Sequence, residues 1–245
     1  TSWWRGRRRR SPAPPKQVVA LCREGLGDRW EMVEALGALG GEAGVHVHLV
    51  GGTVRDLLLG LQVRDVGLVV EGEAPALARA AARRLGGTVR VHEAFGTASW
   101  TAPSGACVDL ASARSEHYEA PAALPRVALH AGLRQDLFRR DFTVNAIAIS
   151  VDPDERGRVH DPFGGYADLR AGVLRVLHGL SFHDDPTRAF RAARFAARFD
   201  FTLADETRGL LDAARKAGAF DRLSRERIGA ELERILGQDA VVQAF

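Results

Sequence analysis

Residues 51–72 read GGTVRDLLLGLQVRDVGLVVEG, and the fold turns on this stretch. It follows an apolar run at 45–50, and its glycine pair permits a tight turn where side chains would obstruct the backbone. A helical stretch comes next, then a strand pattern beginning at Asp65. A strand, a glycine turn, a helix and a second strand make a small α/β unit that turns backbone N–H groups toward phosphate. Side chains at i and i+2 of a strand share a face, so acids at 65 and 67 would set two carboxylates side by side. Asp65 supplies one of them, whereas position 67 is glycine. Glu71 has the right parity but lies about 13 Å further along the strand, too far to replace it.

Outward from this stretch, alternation predicts strands near 45–50, 65–71, 87–92, 96–101 and 105–112, with a helix near 74–85 (APALARAAARRL). Residues 17–43 show helical spacing that breaks at Gly40-Gly41 and read as a lead-in to the first strand. The segment 115–133, SEHYEAPAALPRVALHAGL, has two prolines and little periodicity and is expected to be a mobile loop. The break at 151–161, VDPDERGRVHD, marks a hairpin or the seam of a second domain, and beyond Asp161 the pattern is helical. The expected organisation is a disordered basic, proline-rich tail (1–16), a helical lead-in (17–43), an α/β head (44–150) and an all-helical neck (151–245).

Composition sets bounds. The 245 residues can bury a sizeable core, and no apolar run approaches the roughly 18 residues a membrane span needs, so a cytoplasmic protein is expected. Residues 1–16 hold six basic and no acidic residues, leaving 28 basic against 31 acidic in the rest. The Arg run beside Trp3 and Trp4 could grip RNA, or be a linker. The chain begins at Thr, which hints at a fragment or a processed form. Cys22 and Cys107 lack a CxxC partner and are expected to be buried thiols. His46 and His48 alternate on a strand, but no carboxylate or third histidine lies nearby in sequence to complete a metal site.

The 51–72 stretch resembles the signature of class II tRNA nucleotidyltransferases and bacterial poly(A) polymerases, in which Gly-Gly-x-Val-Arg-Asp leads into Asp-x-Asp. The resemblance continues through CVDLASAR (107–114), DLFRRDFTVNAIAI (136–149), HDPFGGYADLRAGVLR (160–175), DDPTRAFRAARFAARFDF (184–201) and LSRERIGAELERIL (223–236), in the family's order. These blocks together span about residues 45–236.

The resemblance implies an α+β fold: a nucleotidyltransferase-type mixed sheet with helices, followed by a helical neck. It implies Mg²⁺-dependent, template-independent addition of CMP or AMP from CTP or ATP to an RNA 3′ end, that of tRNA foremost. It makes Asp65 and Asp109 the catalytic, metal-binding carboxylates, although either one taken in isolation reads as a turn residue or helix cap. Gly51, Gly52 and Arg55 would face the triphosphate. Arg139, Arg140, Asp141 and Asn145 would bind ribose and triphosphate, or else form a salt-bridged structural turn. Asp185 and Arg188 would read the base, with Asp184 in place of the family's glutamate; Asp185 before Pro186 is also a fitting helix cap. Arg188, Arg191, Arg194 and Arg198 share about 120° of a helix face, which either lines the nucleotide cleft or is a solvated surface. Arg225 and Arg227 would buttress the neck. Gly67 supports a second reading, a catalytically weak or silent nucleotide- or RNA-binding module of a longer protein.

Overall fold

The computed structural model describes residues 15–237. The basic run at 5–10 lies outside the described residues, and Pro15 opens the first helix. The chain divides into two compact units, and the division is not a single cut in sequence. One unit holds the described chain up to Ser115 with Ala128–Arg139 and Asn145–Phe163. The other holds Glu116–Val127, Arg140–Val144 and the described chain from Gly164 onward.

The first unit begins with α1 (Pro15–Leu26) and α2 (Arg29–Ala43), then β1 (Val47–Val50), α3 (Gly52–Leu58), β2 (Gly67–Val70) and α4 (Ala74–Leu85). Strands β3 (Thr88–His92), β4 (Thr97–Thr101) and β5 (Cys107–Ser112) follow. Next along the chain come β6 (Arg114–His117) and β7 (Arg126–Leu129), whose residues 116–127 belong to the second unit, then α5 (Leu133–Phe138), β8 (Ala148–Ser150) and β9 (Val159–His160) of the first. Seven strands form one mixed sheet in the order β3-β4-β5-β2-β1-β8-β9, with β2 and β5 parallel. The mixed α+β architecture expected from sequence is the one found. At 151–161 the hairpin alternative holds, since β8 and β9 pair antiparallel.

Pairing register places Val47, Leu49, Leu68, Val70, Trp100, Val108, Leu110 and Ile149 on one face, all fully buried. Each side chain of this kind contributes about 1.5–3 kcal/mol when removed from water. The opposite face carries His48, Gly67, Val69, Ser99, Asp109 and Ser150, and this polar side holds the candidate chemistry.

Three expectations need correction. Helix α2 does not break at Gly40-Gly41; it runs to Ala43 and is capped by Gly44 at φ 69°. Its glycines serve close packing instead, since a Cβ at Gly37 would lie 2.1 Å from the Val151 carbonyl oxygen and one at Gly40 2.6 Å from Val47 Cγ2. The segment 115–133 is not an irregular loop, because β6 and β7 pair within it. Cys22 is buried as expected, but Cys107, at the start of β5, is exposed.

The second unit is mainly helical: α6 (Gly165–Ala171), β10 (Val173–Leu174), α7 (Ser181–Asp184), α8 (Thr187–Phe199), β11 (Thr202–Leu203), α9 (Asp205–Lys216) and α10 (Arg225–Leu236). Two-residue strands β10 and β11 pair in parallel, so the neck is not all-helical. Phe142 and Phe195 meet edge to face within this unit, their ring centroids 6.0 Å apart.

Candidate active site

The turn from β1 to α3 is built on Gly51, whose φ of 67° and ψ of −133° suit glycine alone. A Cβ at Gly52 would press on Arg55 Nη2 at 3.3 Å. Arg55 does not extend into solvent; it is 5% exposed. Its Nε donates to Asp56 Oδ1 at 2.9 Å and its Nη1 to Asn145 Oδ1 at 2.7 Å. Asn145, itself buried, is thereby joined to the glycine turn across ninety residues of chain. A buried guanidinium needs such partners, and here it fixes two other polar groups in place.

Asp65 is exposed and lies in a bend just before β2, which starts at Gly67, so it is not a strand residue as expected. Thr53 supplies the order that the strand does not. Its hydroxyl accepts from Gly67 N at 2.9 Å and donates to Asp65 O at 3.1 Å, pinning this bend to α3. Asp109 is the register partner of Gly67 on β5, exposed, and accepts a hydrogen bond from Ser99 Oγ. The two candidate carboxylates therefore flank position 67. A Cβ at Gly67 would meet only Thr53 Oγ1, at 3.7 Å, so an acidic side chain has room there.

Two exposed carboxylates suit one hard cation that completes its shell with water and triphosphate oxygens. Among the described residues no group of three His, Cys, Asp or Glu side chains converges as a metal site. The candidate donors are two carboxylates, Asp65 and Asp109, and a pair of ions held on three carboxylates does not fit them.

The far end of β1 and β2 holds a polar cluster that sequence reasoning missed. His48 Nε2 lies 3.1 Å from Glu71 Oε1, Glu71 Oε2 accepts from Leu133 N at 2.9 Å, and His46 Nδ1 lies 2.8 Å from Asp152 Oδ2. His160 packs edge-on to His48 at 5.3 Å between ring centroids. His46, His48, Glu71 and His160, together with Arg134, line a cavity of about 640 Å³. The hydrogen bond from His48 lowers the Glu71 pKa, that to Asp152 raises the His46 pKa, and burial lowers that of His160. Partners 23 and 106 residues away left no local signal beyond the histidine alternation.

Arg139 follows the structural alternative: its Nε and Nη2 donate to Asp136 Oδ1 at 2.9 and 2.7 Å, and Asp136 is fully buried.

In the second unit, Asp141 caps its own turn by accepting from Phe142 N and pairs with Arg191 Nη2 at 2.7 Å. The Asp141 charge is the main cause of a raised Arg191 pKa, while burial and then Arg191 lower that of Arg194. Half-buried Arg140 adjoins this pair in sequence. The arginine row of α8 is not one solvated face: Arg188 is 3% exposed and donates to Ser181 Oγ at 2.8 Å, whereas Arg194 and Arg198 lie over the rings of Phe195 and Phe199.

Asp185 stands between α7 and α8. Its Oδ1 accepts from Thr187 N at 3.0 Å, from Thr187 Oγ1 at 2.5 Å and from Arg227 Nη2 at 2.7 Å. Helix capping and the ion pair thus fall on one oxygen.

A glycine turn tied to a distant asparagine, with Asp65 just before β2 and Asp109 on β5 of a mixed sheet, is the architecture of a nucleotidyl-transferring head. Residues 47–175 match the poly A polymerase head domain, and the chain belongs to that family. It is 44% identical over 231 residues to the A-adding tRNA nucleotidyltransferase of Geobacter sulfurreducens, covering 94% of this chain and 25% of that protein. The A-adding tRNA nucleotidyltransferase of Halalkalibacterium halodurans is 40% identical over 220 residues, covering 89% of this chain and 51% of that protein. The solved apo form II structure of a CCA-adding enzyme superposes with a TM-score of 0.88 at 43% identity, covering 93% of this chain and 54% of that one. Other CCA-adding enzyme structures similar to this chain are complexes with tRNA, CTP or ATP. The chain thus spans between a quarter and about half of these relatives' length.

Proposed function

We propose that this chain is the nucleotide-binding and transferring part of a tRNA nucleotidyltransferase. It would add AMP from ATP, or CMP from CTP, to the tRNA 3′ end in the cytoplasm and release pyrophosphate. The observation that carries the reading is the Arg55–Asn145 bond, which joins the glycine turn to Asn145 of the RRDFTVNA block. The A-adding relatives favour ATP.

In this reading the turn at Gly51 and Gly52 receives triphosphate oxygens on backbone N–H groups. Arg55 works indirectly, holding Asn145 and Asp56. Arg139, committed to Asp136, orders α5. Asp65 and Asp109 would hold one Mg²⁺, which supplies charge stabilisation for the attacking and leaving oxygens when bound. Asp185 Oδ2 accepts a hydrogen bond from the exocyclic amine of adenine or cytosine. Guanine and uracil present a carbonyl oxygen there and are rejected, because two acceptors cannot pair. Arg188 supports this corner through Ser181.

Incubation with radiolabelled ATP or CTP, Mg²⁺ and tRNA lacking its 3′ terminus tests the reading. Addition of one or a few nucleotides is expected. Calorimetry showing no binding of either nucleotide at millimolar concentration would leave only a shared fold. Gly67 favours a second reading, nucleotide binding with slow transfer, and this predicts binding without measurable addition.

A further inference from the structure

We infer that Arg227 is a positioning residue for nucleotide choice, acting by locking Asp185 to the backbone of residue 122. The inference rests on the assignment of Asp185 as the base reader. Arg227 sits in the first turn of α10, where its own N–H is accepted by Ser224 Oγ at 3.3 Å. Its guanidinium fork spans two acceptors on separate segments: Nη2 donates to Asp185 Oδ1 at 2.7 Å and Nη1 to the Ala122 carbonyl at 2.9 Å.

The Ala122 end of this bridge is itself fixed. Ala122 is a non-glycine residue at φ 58°, a conformation that persists only where its surroundings hold it. Its N–H donates to the His183 carbonyl at 3.1 Å, two residues before Asp185, while its own carbonyl receives Arg227. One residue is thus clamped between α7 and α10, and the same arginine clamps the carboxylate.

The consequence falls on the Asp185 side chain. Rotation about its terminal torsion would exchange the two oxygens, which are chemically equal. Thr187 and Arg227 both engage one oxygen, so a half-turn only restores the same three hydrogen bonds, and any intermediate angle breaks them. Oδ2 is held in one direction, as discrimination by a single hydrogen bond demands. Lysine has the charge of arginine but not the planar fork that reaches two acceptors at once.

The test compares binding of ATP, CTP, GTP and UTP, with Mg²⁺, to the chain and to Arg227→Gln, Arg227→Lys, Asp185→Ala and the Arg227→Gln/Asp185→Ala double variant. Arg227→Gln is expected to cut the preference for ATP over GTP by about tenfold, with inorganic tripolyphosphate bound as before. Arg227→Lys should fall between it and the parent; if Arg227→Gln does not fold, Arg227→Lys carries the comparison. The double variant should discriminate no worse than Asp185→Ala, since one interaction cannot be lost twice. Equal weakening of all four nucleotides, or a lowered melting temperature with preference intact, would reduce Arg227 to a brace of the helices and overturn the inference. If Asp185→Ala leaves the preference intact, the base-reading assignment itself fails and takes the role of Arg227 with it.

Discussion

Gly67 stands where a side chain would complete a row of acids, beside Asp109 in register and two residues after Asp65. The space is open, so Gly67→Asp is expected to fold normally and to add a metal-binding carboxylate. Manganese binding measured by calorimetry should tighten, and nucleotide addition to tRNA should rise at least about tenfold, or roughly 1.4 kcal/mol of barrier. The gain should disappear in an Asp65→Ala background. Unchanged Mn²⁺ binding in Gly67→Asp would show that the missing carboxylate is not what limits the metal site. Arg55→Ala makes the contrasting case. It removes a buried guanidinium that bonds both the Asp56 carboxylate and Asn145, so denaturant unfolding should show a loss of about 3–5 kcal/mol. A loss in ATP affinity without a stability change would instead place Arg55 on the phosphates directly.

At the level of elements, two helical glycines should respond with opposite signs. Gly37 in α2 sits against the Val151 carbonyl, so Gly37→Ala must displace backbone and should destabilise by about 1–3 kcal/mol despite alanine's better helix propensity. Gly209 in α9 has nothing within 4 Å of its Cβ position, and Gly209→Ala should stabilise by about 0.5–1 kcal/mol. Urea denaturation of both variants checks the pair, and equal effects would mean that packing does not decide. On β9, burial holds the His160 pKa below its ordinary value of 6.5. The unfolded chain therefore takes up that proton more readily, and stability is lost as the pH falls through about 6.5. His160→Gln should flatten this acid limb between about pH 7 and pH 5 in pH-dependent melts.

For the whole molecule, every residue named at either site lies at position 46 or beyond, while six of the 34 basic residues lie in 1–16. Removal of residues 1–14 is therefore expected to leave the preference among ATP, CTP, GTP and UTP unchanged. A shift in calorimetric preference would tie the basic segment to nucleotide selection. Much of the head was legible in advance: each of β1 to β5 begins no more than two residues inside its expected start, and α4 spans the expected 74–85. Alternation and helical spacing are local properties, written wherever one face is buried. The pairing of β6 with β7 was not legible, because neither strand buries a face strongly enough to impose alternation. The exposure of Cys107 was missed because a thiol at a strand end carries no periodic signal.

The order of the blocks, the glycine turn, the acid missing at 67 and the family were determined by the sequence alone, because each is a matter of residue identity along the chain. Only the tertiary structure decided that Arg55 is buried between Asp56 and Asn145, that Thr53 holds Asp65 and Gly67, and that Arg227 joins Ala122 to Asp185. These bonds link residues from one to more than a hundred positions apart. Whether a charged side chain faces a ligand or another residue is set by what the fold brings within about 3 Å of it.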